Sequence, residues 1–131
     1  MKFIFDEKID TVKIADLRES VGWNRMDEEL QDPKMHNLFE IGCYADERLV
    51  GYLCVVSNGV TDAYIQDVMV APEYQGRGIG SEMMRLAIDK IKSLNIYMIS
   101  VIYGDESLRG FYEKFGFYTM LCGQMLTEKQ E

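Results

Sequence analysis

Apolar positions along this chain follow the two periods that distinguish strands from helices. Six segments rich in β-branched and aromatic residues predict strands; they are 2–5, 38–45, 49–57, 63–71, 96–102 and 117–126. Three segments with apolar residues three or four positions apart predict helices; they are 11–20, 78–93 and 107–114. Residues 25–37 are polar, are interrupted by Pro33 and predict a short helix or a mobile segment.

The order of these elements, β-α-α-β-β-β-α-β-α-β, predicts a mixed sheet. Tight turns at 46–48 and at Asn58-Gly59 make the strands that they join antiparallel. The strand–helix–strand unit over 63–102 requires parallel strands and a right-handed crossover. We therefore expect an α/β fold, with a mixed central sheet flanked by helices. A chain of 131 residues without an internal linker predicts one domain over 1–131.

The charge balance argues against nucleic acid as a partner. The chain carries 14 basic and 22 acidic residues, a net charge of −8. A protein that binds the nucleic-acid backbone needs an excess of Lys and Arg to neutralise phosphates. An acidic surface favours a cationic small molecule, and an anion would bind only at a locally prepared site.

Cysteine spacing and hydropathy indicate a reduced, cytoplasmic environment. Cys43, Cys54 and Cys122 form no close-spaced metal-binding pattern, and we expect buried, reduced thiols and no metal site. The N-terminal residues lack the apolar core of a signal peptide. The uncharged runs are too short to cross a bilayer, so we expect no membrane association.

A glycine-rich turn over residues 75–80 carries the clearest chemical signal. It follows the strand 63–71 and opens the helix 78–93. Glycines allow a close backbone approach, and a helix N-terminus presents unpaired N–H groups and the positive end of its dipole. Arg77 adds a cation, so the turn predicts a phosphate or pyrophosphate site. The lysine of a P-loop is absent after Gly80, and the glycine spacing does not match a dinucleotide fingerprint.

Two motifs in sequence identify a family resemblance. The turn reads Gln75-x-x-Gly78-x-Gly80, and residues 110–117 read Gly-Phe-Tyr-Glu-Lys-Phe-Gly-Phe. Both motifs, in this order and separated by one helix and one strand, resemble the GNAT superfamily of acyl-CoA-dependent N-acetyltransferases. The resemblance covers nearly the whole chain and is weakest over residues 11–37.

The resemblance implies acetyl-CoA as the cosubstrate, held by the backbone. The implied pyrophosphate-binding residues are Gln75, Gly76, Arg77, Gly78, Ile79, Gly80 and Ser81. The end of the preceding strand, at Met69 and Val70, would bind the pantetheine arm. The strands 63–71 and 96–102 would splay apart and receive the thioester between them. Tyr112 matches the family's general acid; its alternative role is ordinary helix packing.

The general base and the acceptor pocket remain open at this stage. Tyr64 stands where some family members carry a glutamate base, so Gln66 or Asp67 could instead order a water chain, or Asp67 could be structural. Trp23 and Tyr64 are candidates for the substrate pocket, and a buried anchor is an equal alternative for Trp23. His36, the only histidine, is expected to be exposed and inert.

The sequence thus predicts a cytoplasmic N-acetyltransferase that moves an acetyl group from acetyl-CoA to a primary amine by direct attack. A small-molecule amine is the favoured acceptor. The alternatives are a protein lysine or N-terminal acetyltransferase, and a non-catalytic acyl-CoA-binding module. An exposed edge strand or exchange of the C-terminal strand would support a homodimer.

Overall fold

A five-stranded mixed sheet is the centre of the fold in the computed structural model, which describes residues 1–5 and 8–128. Its strands lie in chain order from β1 to β5. They are β1 (Lys2–Phe5), β2 (Phe39–Ala45), β3 (Arg48–Ser57), β4 (Asp62–Val70) and β5 (Met98–Val101). β1 to β4 pair antiparallel, whereas β4 and β5 pair parallel. The mixed α/β architecture predicted from the sequence is confirmed.

The helices connect these strands. They are α1 (Thr11–Ser20), α2 (Asp27–Leu30), α3 (Ile79–Ser93) and α4 (Arg109–Glu113). The side chain of Asp10 caps α1 by accepting a hydrogen bond from the backbone N–H of Val12 at 3.0 Å. The polar segment before β2 contains α2 and a 3₁₀ turn, Pro33–His36. None of the helices in the described ranges is long and apolar enough to span a bilayer.

Gly51 allows α3 to pack closely on the sheet. A Cβ atom added at Gly51 would lie 2.9 Å from Cγ2 of Ile79 and 3.1 Å from Sδ of Met83. Those two residues belong to the first turns of α3, so the absence of a side chain at Gly51 sets how near the helix N-terminus lies to β3. This packing fixes the glycine-rich turn that precedes α3.

Pairing between β4 and β5 covers only the first part of β4. The last paired residues are Ile65 and Val101. Beyond them, β4 continues beside β3 alone among the described strands, and a β-bulge places Asp67 at φ 56°. β5 is shorter than predicted and half-exposed, because it lies at the edge of the sheet.

The predicted sixth strand is not formed within the described residues. Residues 117–126 have no regular secondary structure. Several apolar side chains of this segment are largely exposed: Tyr118, Met120, Leu121, Met125 and Leu126. Cys122 is also exposed, contrary to the expectation of a buried thiol. A β-rich composition favours a strand only where a sheet edge accepts it, and composition alone does not provide that partner.

The chain divides into two compact units, Met1–Val101 and Ile102–Glu131. The first contains the sheet with α1, α2 and α3, and the second contains α4. A single domain over 1–131 stays a prediction.

Candidate functional site

The turn before α3 has a backbone conformation that favours glycine. Gly76 has φ 78° and Gly78 has φ 83°, both in the left-handed region. A Cβ atom at either position would meet no heavy atom within 4 Å. The requirement for glycine is therefore conformational, and the space above the turn is open.

The N–H groups of this turn are available to a ligand. Among the described residues, no backbone carbonyl accepts a hydrogen bond from the N–H groups of residues 76–80. Gly78 caps α3 and offers no side chain to them. These N–H groups and the positive end of the α3 dipole together have the chemistry to bind an anion. Ser81 lies in the first turn of the same helix.

Arg77 provides a cation beside these N–H groups. Its guanidinium carbon lies 4.9 Å from the ring centroid of Tyr74, and no carboxylate of the described residues pairs with it. Arg48, by contrast, donates to Glu73 at 2.7 Å. The charge of Arg48 is thus already neutralised, whereas that of Arg77 remains available to an anion.

Gln75 connects the turn to the end of β4. Its side-chain Nε2 donates to the carbonyl oxygen of Val70 at 3.0 Å. Its backbone N–H donates to the carbonyl of Pro72 at 3.4 Å. The N–H of Gln75 thus already has an acceptor, unlike the N–H groups of residues 76–80, which have no backbone acceptor among the described residues.

The open edge of β4 presents the backbone of Val70. The N–H of Ala71 donates to Val50 on β3 at 2.8 Å, and Tyr52 lies opposite Met69. Backbone groups alternate in direction along a strand, so Met69 faces β3 and Val70 faces the side that β5 has left. The N–H of Val70 is a backbone donor at this edge.

The two residues assigned to the acceptor pocket lie in different surroundings. Tyr64 lines an open groove of about 310 Å³. The other lining residues are Val56, Ser57, Asn58, Asp62, Ala63 and Ser100. Trp23, 41% exposed, lies beyond the end of α1, and its ring centroid is 5.4 Å from the guanidinium carbon of Arg18.

Arg18 is a buried cation that the sequence analysis did not identify, and it is 6% exposed. It donates to Asp67 Oδ2 at 3.0 Å and to the backbone oxygen of Asn24 at 2.6 Å. It also donates to the side-chain oxygen of Asn24 at 3.1 Å. The structural role considered for Asp67 agrees with this pairing. The sequence feature that could have identified Arg18 as buried is its position on the apolar face of α1.

A polar chain crosses the sheet from His36 to Gln66. His36 Nδ1 lies 2.7 Å from Glu40 Oε2, the hydroxyl of Tyr52 donates to the same oxygen, and Tyr52 also shares a hydrogen bond with Cys54. Gln66 Nε2 donates to Cys54 Sγ at 3.2 Å. The expectation that His36 is exposed is wrong, because its side chain is partly buried beside Glu40, whereas its inertness stays a prediction. The signal in the sequence was that Glu40 and Gln66 are polar positions within largely apolar strands.

Burial and hydrogen bonding shift the pKa values of Cys54, Tyr52 and His36 along this polar chain. Burial raises the pKa of Cys54 to about 11 and raises the pKa of Tyr52 strongly, so both stay protonated at neutral pH. Burial lowers the pKa of His36, but the hydrogen bonds to Leu30 and Glu40 outweigh it and the net pKa is raised. His36 therefore favours its charged form.

Tyr112 belongs to the second compact unit and lies in an aromatic cluster. It stacks on Tyr103 with ring centroids 4.9 Å apart. Phe111 and Phe117 meet its ring edge-on. The side chain is buried, and the catalytic role assigned to it from the sequence stays a prediction.

Known proteins are similar to this chain in sequence and in fold. A GNAT-family acetyltransferase structure from Streptococcus pneumoniae has a TM-score of 0.82 and 27% identity, covering 99% of this chain and 98% of that one. An uncharacterized ycf52-like N-acetyltransferase from Prochlorococcus marinus is 29% identical over 87% of this chain and 67% of its own length. A Bacillus subtilis protein named as a candidate [ribosomal protein bS18]-alanine N-acetyltransferase is 31% identical, over 68% of this chain and 58% of its own length.

The chain spans about two thirds of the length of the ycf52-type proteins that it matches. The model of the acetyltransferase (GNAT) family matches residues 7–117. That match includes the glycine-rich turn, the open end of β4 and α4. The chain belongs to the acetyltransferase (GNAT) family.

Proposed function

We propose that this protein transfers an acetyl group from acetyl-CoA to a primary amine. The observation that carries the proposal is the open anion site before α3, where the N–H groups of residues 76–80 have no backbone acceptor among the described residues. Arg77 stands beside them without a carboxylate partner in the described ranges. This donor set fits the pyrophosphate of CoA, which requires several N–H donors and a cation.

The open edge of β4 fits the thioester end of the same molecule. An extended pantetheine arm can add to β4 as a strand would, because β5 leaves that edge after Ile65. Acetyl-CoA supplies the activated acyl group. The N–H of Val70 donates to the thioester oxygen and stabilises the negative charge that develops on it.

Proton movement completes the proposed reaction. A neutral amine attacks the carbonyl carbon, the C–N bond forms, the C–S bond breaks and CoA leaves as a thiol. Tyr112 donates the proton to the departing sulfur, as the family motif implies, and the proton that the amine nitrogen loses passes through water and restores the Tyr112 phenol. No residue of the chain needs to form a covalent intermediate, because the amine itself is the nucleophile.

A small amine is the acceptor that we favour. The net charge of −8 attracts cations over a long range, and alkylamines are cations at neutral pH. The Bacillus subtilis relative, named for acetylation of an alanine in a ribosomal protein, supports a second candidate, transfer to a protein N-terminus. A non-catalytic acyl-CoA-binding module is the remaining alternative. A cytoplasmic location stays a prediction.

A thiol-release assay separates these functions. Purified protein is incubated with acetyl-CoA and either a panel of alkylamines and polyamines or peptides that begin with alanine. Release of CoA thiol with a small amine supports the favoured function, and release with peptides alone supports the second candidate. Tight acetyl-CoA binding without thiol release in either arm would support the binding module and contradict an enzyme.

A further inference from the structure

We propose that Gln66 binds the acceptor amine through its side-chain carbonyl oxygen. A hydrogen-bond chain through Cys54, Tyr52 and Glu40 holds that oxygen towards the open edge of β4 beyond Ile65. The inference rests on the proposed acetyl transfer. It assigns a substrate contact to Gln66 and positioning roles to three buried residues, none of which lies in the glycine-rich turn or in the motif at 110–117.

The direction of the chain follows from what each group can donate, starting at His36. The carbonyl oxygen of Leu30 can only accept, so His36 Nε2, 2.7 Å away, must carry a proton. His36 Nδ1 lies 2.7 Å from Glu40 Oε2. An imidazolium that donates from Nε2 to Leu30 and places its positive charge beside the Glu40 carboxylate satisfies both contacts. The raised pKa of His36 agrees with this arrangement.

The remaining links then have only one consistent order. The hydroxyl proton of Tyr52 goes to Glu40, so in the proposed chain the phenol oxygen is left to accept from the neighbouring thiol of Cys54. The Cys54 sulfur, having used its proton, accepts from Gln66 Nε2 at 3.2 Å. A side-chain amide that donates inward from its nitrogen turns its oxygen outward. Glu40 therefore determines, through two intermediate residues, which atom Gln66 presents.

Gln66 occupies the position on β4 where an acceptor would arrive. It directly follows Ile65, the last residue paired with β5, so the neighbouring strand ends beside it. Its side chain is half-buried, whereas Tyr52 and Cys54 are buried. Alternation along β4 places Gln66 on the same face of the sheet as Tyr64, which lines the open groove.

An amide oxygen at this position suits an attacking amine. It accepts one N–H of the neutral amine and leaves the nitrogen lone pair free to form the C–N bond. It takes no proton, because an amide is a very weak base. Gln66 thus orients the nucleophile, while the proton that the amine loses passes to solvent water.

The test uses a probe that needs no knowledge of the natural acceptor. A CoA thioether bearing an N-propyl acetamide, CoA–S–CH₂–CO–NH–propyl, carries an N–H where the attacking nitrogen would lie. Its affinity is compared with that of CoA itself by calorimetry. Gln66→Leu should weaken probe binding about fivefold, one hydrogen bond's contribution, and leave CoA affinity unchanged.

The positioning residues give a second, independent readout. Tyr52→Phe and Cys54→Ala should each weaken probe binding relative to CoA, and neither should weaken it further in a Gln66→Leu background. Cys54→Ser, which can still donate and accept, should restore probe affinity. If these residues were purely structural, substituting them would change the affinities for the probe and for CoA equally. Tyr97→Phe, on an exposed residue, is the matched control and should change neither affinity.

The outcomes separate the two proposals. Failure of the native protein to bind CoA or the probe would overturn the proposed function and this inference with it. Normal CoA binding, with probe affinity unchanged in Gln66→Leu, would overturn this inference alone. Loss of folding in Tyr52→Phe, seen by circular dichroism, leaves Gln66→Leu and the two Cys54 variants to decide.

Discussion

Arg18 and Asp67 form an ion pair that joins the end of α1 to the bulge in β4, with 3.0 Å between Arg18 Nη1 and Asp67 Oδ2. The same guanidinium holds both oxygens of Asn24 and stacks on Trp23. One buried cation therefore fixes the segment after α1 and the strand whose open edge is proposed to bind acetyl-CoA. Asp67 also has φ 56°, so the pair holds a strained backbone position.

Removing the charge of Asp67 should destabilise the protein. Asp67→Asn leaves the largely buried guanidinium of Arg18 without its anion, and we expect a loss of about 1–2 kcal/mol in the free energy of unfolding. Urea denaturation measures it. Glu73→Gln, which breaks the exposed pair with Arg48, is the control and should leave the free energy of unfolding nearly unchanged. Equal losses in the two variants would show that the Arg18 pair has no special role.

The sequence was sufficient for the five strands that form and for the glycine-rich turn, because both depend on local signals. Periodicity placed α1 correctly over Thr11–Ser20, and the glycines marked the N-terminus of α3. The pairs Arg18–Asp67 and His36–Glu40 were not predicted, because tertiary packing brings the partners together and a single sequence does not encode that distance. Segment 117–126 was wrongly predicted as a strand, because its composition favours β-structure but no described strand pairs with it.

The stability contributed by His36 should depend on pH. The folded state raises its pKa above the usual 6.5, so protons bind more tightly to the folded protein. The stabilisation is complete below the unfolded pKa and is lost as pH rises through the folded pKa. The stability difference between the native protein and His36→Gln should therefore be larger at pH 5.5 than at pH 8.5.

Nuclear magnetic resonance provides the direct measurement for His36. The imidazole of the sole histidine should titrate with a midpoint above 6.5, and the midpoint should fall in Glu40→Gln. A midpoint at or below 6.5 in the native protein would mean that burial outweighs the hydrogen bonds to Leu30 and Glu40. The inferred direction of the polar chain would then lose its starting point.

Tyr112→Phe tests the proposed general acid. Loss of the hydroxyl should lower the rate of CoA thiol release at least about tenfold and leave acetyl-CoA affinity unchanged. The aromatic ring is retained, so stacking on Tyr103 should persist. Tyr118→Phe, on an exposed tyrosine of the same unit, should retain full activity. Full activity in Tyr112→Phe would assign the tyrosine to packing alone.

Self-association stays a prediction that the exposed C-terminal segment makes testable. Leu121 and Met125 place large apolar side chains in water, and a second copy of the chain could cover them. Sedimentation velocity should then show a dimer that Leu121→Glu weakens. Val60→Glu, at an exposed apolar residue of the other unit, should not affect it. A native protein that sediments as a monomer at all concentrations would contradict the prediction.

Calorimetric titration with acetyl-CoA tests the cofactor site most directly. The native protein should bind with a micromolar dissociation constant, and Arg77→Glu and Gly78→Asp should each weaken binding at least about tenfold, because each places an anion at the pyrophosphate site. Lys92→Glu, at the opposite end of α3, is the control and should bind normally. Absence of binding by the folded native protein, or equal binding by all four proteins, would contradict an acetyl-CoA site at the N-terminus of α3.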